Sequence, residues 1–424
     1  MHYSLKCLST GAVLTDELLP LSNPAAQVPA FLRATYNKRE FKPGTADAGI
    51  YRFADWLPIR RTLEGSSAPT TYRSEGLAER VGLKNLFITF SGYWPERNAL
   101  MRTGTFKECE AFSVCGRMPA NYDKTLVVAS AGNTARAFIR VCSENNIPLL
   151  VVVPERNLPN IWSVGPVGAN VRVVAAGGDS DYSDAIELSG IFASLPGFAA
   201  EGGAKNVARR DGMGTTVLSA VEEIGEIPHH YFQAVGSGTG AIAAWEANLR
   251  LLEAGDYGDR TMRLHVSQNL PFTPIHLAWK KQSREIPSMP EASARRLIRR
   301  ISAKVLANRN PPYALTGGLY DALYETHGTT AAVGNVAAAR AARIFRRLEG
   351  ADIAPAAAVA VADLMRRART GLIKEDEIVM LNVTGGGYKG IHRSEDIRLV
   401  VPDAVVHREN FHPEDVAKIA RELF

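Results

Sequence analysis

The feature that most limits what this chain can fold into is a regular exchange of short apolar runs with amphipathic stretches from about residue 85 onward. Leu86–Phe90, Lys124–Ala129, Pro148–Val153, Asn170–Ala175, Tyr231–Val235, Met262–Val266 and Glu377–Val383 read as strands buried on both faces. Between them, Glu108–Cys115, Thr134–Glu144, Asp181–Phe192, Thr215–Ile224, Ala241–Glu253, Asn335–Leu348 and Ala356–Ala368 carry helical patterning. Such alternation predicts an α/β fold of open, mostly parallel sheets with helices on both faces. A chain of 424 residues is long for one core, and 110–211 reads as a small βαβα unit inserted in a larger one. The first 65 residues are rich in proline and turn formers, with a helix predicted at Ala30–Tyr36.

Composition removes several function classes. The net charge of +5 is mild, and the densest basic run (Arg295, Arg296, Arg299, Arg300, Lys304) alternates with Ala294, Leu297, Ile298, Ile301 and Val305. That spacing predicts the solvated face of an amphipathic helix, not a nucleic-acid stripe. Cys7, Cys109, Cys115 and Cys142 form no CxxC pair and no metal-ligand spacing, which fits a reducing cytoplasm. The nine histidines show no HxxxH pattern, so no metal is expected. The longest clean apolar run, Ile147–Val153, is far short of the ~20 residues that span a bilayer.

Three of the predicted strands end in small polar turns, where open α/β sheets bind ligands. Lys124–Ala129 leads into Ser130-Ala131-Gly132-Asn133-Thr134 and a helix start that favours an anion; the plainer alternative is a capped turn. Tyr231–Val235 leads into Gly236-Ser237-Gly238-Thr239-Gly240, a cradle of backbone and hydroxyl donors for phosphate. The dinucleotide pattern is also matched, through Gly236, Gly238 and Ala241. However, the next strand ends in Ser267, Gln268 and Asn269 without the acid that would hold a ribose, and no Walker lysine follows. A lone phosphate fits better than NAD or ATP. Glu377–Val383 leads into Thr384 and three glycines, a neutral hydroxyl partner for a heteroaromatic nitrogen. Lys107, after Thr103-Gly104-Thr105-Phe106, stands where desolvation can make its amine a nucleophile.

Lysine after TGTF, then SAGNT, then GSGTG, then TGGG is the motif order of fold-type II pyridoxal-phosphate (PLP) enzymes, the tryptophan synthase β-like fold. TGTFK resembles the GSFKD segment of threonine synthases, SAGNT their STGNT, and TGGGYKG their TGHGLKD. YRFADWLPI at 51–59 and FLRATY at 31–36 resemble their lead-in segments, so the resemblance spans nearly the whole chain. It implies that pyridoxal 5'-phosphate is anchored covalently on Lys107, the catalytic residue. Asn133 would then bond the ring's 3′-oxygen, Gly236, Ser237, Gly238, Thr239 and Gly240 would hold the phosphate, and Thr384 would face the pyridine nitrogen. Ser130, Ala131, Gly132 and Thr134 would take the substrate carboxylate. It further implies an N-terminal extension (1–65) packed on a large PLP-binding domain (66–109 and 212–424), with 110–211 as a small mobile domain.

Departures select a branch. Threonine synthases carry NPTGSFKDR where this chain has NALMRTGTFKEC at 98–109, and Glu108 and Cys109 replace the family's acid and arginine. The approach at 91–97 is longer, with added aromatics and arginines. These changes resemble the archaeal, cysteate-forming branch of the family, which converts O-phospho-L-serine and sulfite to L-cysteate and phosphate on the route to coenzyme M. Two anionic substrates call for cations, with Arg102 and Arg136 as the foremost candidates beside Arg97 and Lys389. A homo-oligomer without nucleic-acid or membrane partners is expected. The alternatives are a threonine synthase acting on O-phosphohomoserine and, in another class, an NAD-dependent oxidoreductase built on the Gly236–Ala241 turn.

Overall fold

A computed structural model describes residues 1–424. The larger of its two main sheets has six strands in the order Thr329–Val333, Arg263–Asn269, His230–Ala234, Ile378–Val383, Asn85–Phe90 and Thr70–Arg73. All neighbours are parallel except the last pair. The smaller sheet runs Phe198–Ala200, Thr125–Ala129, Leu149–Pro154, Val171–Ala176 and Ala404–Val406, parallel throughout. Central strands such as LLVVVP and IVMLNV are buried at every position, because helices cover both faces. No helix is long and apolar enough to cross a membrane.

Three segments differ from the sequence reading. Leu32–Tyr36 is a strand and not a helix: Leu32, Ala34 and Tyr36 point inward while Arg33 and Thr35 alternate outward. Seven residues are too few to separate the two periodicities, and pairing with Tyr3–Cys7 decides for the strand. The strand Ala404–Val406 and the helix Pro413–Leu423, expected with the large sheet, belong to the small one, packing beside Val174, Ala176, Leu188 and Phe192. A three-residue strand bracketed by polar turns leaves little pattern to read. The basic helix forms at Glu291–Arg300, but Arg295 turns inward to Asp184 at 2.8 Å and Asp181 at 3.6 Å.

The N-terminal strands share a core with the large sheet's helices, where Leu5, Phe31 and Leu32 meet Val217, Trp245 and Leu251. A buried ion pair fastens them to the helix Lys107–Arg117: Arg117 Nε donates to Asp16 Oδ2 at 2.8 Å, and Tyr3 donates its hydroxyl to the same carboxylate. Both charges are almost wholly buried, so removing one strands the other. Asp16→Ala should lower stability by about 3–5 kcal/mol, read as a fall in the urea midpoint.

Candidate active site

The carboxyl ends of His230–Ala234 and Ile378–Val383 lie side by side in the large sheet. The turn carrying Lys107 is pinned to the second of them. Phe106 donates its amide to the Thr384 carbonyl at 3.1 Å, the Thr105 hydroxyl donates to the same oxygen at 3.3 Å, and Gly386 donates to the Gly104 carbonyl at 3.0 Å. Lys107 then opens the helix Lys107–Arg117. Its Nζ projects into a cleft that is also lined by Ser130–Thr134, Gly236–Gly240 and Thr384. Every cofactor residue expected from the sequence is thus on one cavity between the two sheets.

The donors left over in this cleft suit a phosphorylated heteroaromatic ring. The amides of Gly236, Ser237, Gly238 and Gly240 meet no acceptor in the protein, at the uncapped start of the helix Thr239–Ala254. That is a preformed anion cradle. Gly238 has a φ of +82°, and a Cβ there would lie 2.6 Å from Leu319; a Cβ at Gly240 would lie 2.5 Å from the Gln233 amide. Asn133 begins the helix Asn133–Glu144, and its Oδ1 accepts from Arg136 Nη2 at 2.7 Å. Arginine only donates, so the Asn133 NH₂ group faces the other way, free for an anionic oxygen. The Thr384 hydroxyl has no protein partner. Ser130 Oγ accepts from the amides of Gly132 and Ala135, at 3.1 and 2.9 Å, and shapes the turn between the strand and Asn133.

Arg102 and Arg136 do not line the cleft. Arg102 is held by Glu144 at 3.1 Å and Glu395 at 2.9 Å, two carboxylates that account for its charge. Arg136 is buried behind Asn133, over the Trp162 ring at 4.5 Å, and bonded to the Asn160 carbonyl and the Tyr388 hydroxyl. It positions Asn133. Arg97 stacks on Tyr72 and Trp94, and Lys389 is exposed.

The sequence reading missed the group closest to the lysine. Glu110, fully buried, sits 2.9 Å from Lys107 Nζ, accepts from the Thr134 hydroxyl at 2.9 Å and pairs with Arg209 at 3.2 Å. Its position three residues after Lys107 on a helix was the available signal. Burial opposes the charge of Arg209, but Glu110 and Glu201 offset it and raise the pKa, so this cleft residue stays cationic. Nothing in the sequence marked Arg209; Lys304, expected on the solvated face of the basic helix, lies past the helix end at Arg300 and also lines the cleft. Cys109 is buried, and desolvation pushes its thiol up to about 12, which leaves it no nucleophilic part.

The chain belongs to the pyridoxal-phosphate dependent enzymes, whose family model matches residues 69–385. Among its relatives, it is 42% identical to the cysteate synthase of Methanosarcina acetivorans over 98% of this chain and 99% of that one. It is 43% identical to the cysteate synthase of Methanocella paludicola, over 98% and 97% of the two chains. The fold is similar to that of maize serine racemase (TM-score 0.58, 14% identity, covering 77% of this chain and 92% of that one). A threonine deaminase of Solanum lycopersicum is similar too (0.56, 15%, 89% and 98%). These two show the fold alone. The expected cofactor, pyridoxal phosphate, therefore stands, and the dinucleotide alternative is not favoured.

Reconstituted with pyridoxal 5'-phosphate, the protein should show a visible-edge absorbance band that Lys107→Ala abolishes. Gly238→Val, which forces a side chain into Leu319, should weaken cofactor binding by at least about tenfold in a fluorescence titration, a loss of about 1.4 kcal/mol or more.

Proposed function

We propose that this chain catalyses β-replacement on O-phospho-L-serine by sulfite, giving L-cysteate and phosphate. The observation that carries the reading is its identity of 42–43% with curated cysteate synthases along 98% of its length. The lysine-bearing cleft supports it. A threonine synthase acting on O-phosphohomoserine has no comparable support.

Lys107 would anchor the cofactor, the amides of 236–240 would hold its phosphate, Asn133 its ring oxygen and Thr384 its ring nitrogen. When bound, the cofactor supplies an electron sink for the bond broken at the substrate α-carbon. Lys107 Nζ, once free, takes the α-proton and later returns it. Glu110 lies within hydrogen-bond reach of Nζ and stabilises it while it carries that proton. The uncharged Thr384 hydroxyl provides no acid to protonate a ring nitrogen, which tempers the sink and favours elimination and replacement at the β-carbon. Ser130, Ala131, Gly132 and Thr134 would receive the substrate carboxylate beside the N-terminus of Asn133–Glu144. Arg209 and Lys304 take the place of Arg102 and Arg136 as cations within reach of the phosphate and sulfite. In the net reaction the Cβ–O bond to phosphate breaks and a Cβ–S bond to sulfite forms.

The proposal includes residues 110–211, completed by the strand 404–406, as a mobile domain closing on substrate. A cytoplasmic homo-oligomer is part of the same proposal; its support is the reducing-type cysteine usage and the family resemblance.

Two measurements test the assignment. The holoenzyme should form cysteate from O-phospho-L-serine only when sulfite is present; threonine from O-phosphohomoserine would overturn the reading. Lys107→Ala should lower turnover by about 10²–10⁴-fold.

A further inference from the structure

Away from the lysine cleft, a second cleft opens between the N-terminal strand Leu32–Tyr36 and the helix Thr239–Ala254. Lys6, Arg33, Thr35, Arg39 and Arg250 line it, with Glu246 and Glu253. Beneath it lies a buried charge cluster with unequal signs. Glu246 accepts from Arg33 Nε at 3.2 Å and from Arg210 Nε at 2.8 Å. Asp211 pairs with Arg250 and accepts the Tyr36 hydroxyl at 2.5 Å. Burial, and then Asp211, hold that phenol protonated, so it adds no negative charge. Three guanidinium groups therefore face two carboxylates.

The surplus is visible in the hydrogen bonding. Arg210 is satisfied by Glu246 and by the carbonyls of Ala204 and Leu32. Arg33 Nη2 and Arg250 Nε and Nη1 are buried and find no acceptor. Arg250 is more than nine-tenths buried and lies over the Tyr36 ring at 5.2 Å, while Arg33 lies over Trp245 at 4.6 Å, so stacking holds both in place. At the rim, Arg39 is answered by Glu253 at 3.6 Å, whereas Lys6 has no acidic partner. Buried donors of a charged group are costly to leave unpaired. One surplus buried charge and one rim lysine match a ligand with two negative charges.

We propose that this cleft is an anion-binding site, separate from the catalytic one, for a small doubly charged oxyanion: free phosphate or sulfate, or the same group on a small organic acid. Arg33 and Arg250 are its principal donors and Lys6 its outer charge. The site shares two helices with the catalytic cleft. Thr239–Ala254 begins at the glycine loop, and the helix Val207–Ile224 carries Arg209, on the catalytic lining, directly before Arg210.

Crystals of the PLP-loaded wild-type enzyme soaked in selenate locate the ion by its anomalous signal. A peak within hydrogen-bond distance of Arg33 or Arg250 supports the proposal; water alone there overturns it. A parallel soak in O-phospho-L-serine separates the sources, since density for the whole molecule at this site assigns it to the organic anion and selenate alone to the free one. In solution, sulfate should raise the holoenzyme's Tm above a chloride control of equal ionic strength. Arg33→Gln should weaken the apparent sulfate affinity by about tenfold, and an unchanged affinity counts against the site. The crystal experiment needs no variant, so a folding defect in Arg33→Gln leaves the proposal testable.

Discussion

The carbonyl of Thr384 holds the catalytic geometry together. It accepts from the Phe106 amide and the Thr105 hydroxyl, so the residue just before Lys107 is tied to the mouth of the large sheet's central strand. A lysine on a free loop would have to lose backbone as well as side-chain entropy to enter the cleft. Here the turn is fixed before the side chain has any choice, and Nζ emerges into the cleft beside the glycine loop. The same strand end supplies the Thr384 hydroxyl, so the amine and this hydroxyl share one backbone origin.

Charge in the cleft is arranged by buried carboxylates. Glu110 touches the lysine amine, the Thr134 hydroxyl and the Arg209 guanidinium, and so links the anchor helix, the small-sheet turn and the following long helix. Glu201 holds Arg209 from the other side. A cation fixed between two buried acids keeps its charge and its orientation, which suits a site that must discriminate anions by position as well as by sign. Arg136 shows the complementary case. It gives its charge to no carboxylate in the cleft and divides its donors among Asn133, the Asn160 carbonyl and the Tyr388 hydroxyl, which fixes Asn133 in place.

What could be read from the sequence follows the range of the interactions. Asn133, the loop 236–240 and Thr384 were legible because each lies at a strand end whose pattern is local, and parallel sheets gather such ends on one edge; Lys107 was legible from the glycine turn and aromatic that precede it at a helix start. The roles of Arg102 and Arg136 were not, since a guanidinium's partner can be any distant acid: Glu395 for Arg102 is supplied by a segment nearly three hundred positions away. Glu110 was within reach of a helical-spacing argument, while Arg209 carried no mark. Residues 32–36 alternate as a strand does, but over too few positions to outweigh a helical reading, and pairing with Tyr3–Cys7 decides between them.

The fifth strand of the small sheet has a topological consequence. Val174 pairs with Ala404 across an interval that contains most of the large sheet. Until that late segment arrives, the strand Val171–Ala176 is an open edge whose backbone groups can pair with another molecule. Closing it requires a contact of very long sequence separation, the kind that forms slowly. During synthesis the first unit to look complete is therefore the one left longest with an exposed border, and the period of greatest aggregation risk coincides with the making of the larger half.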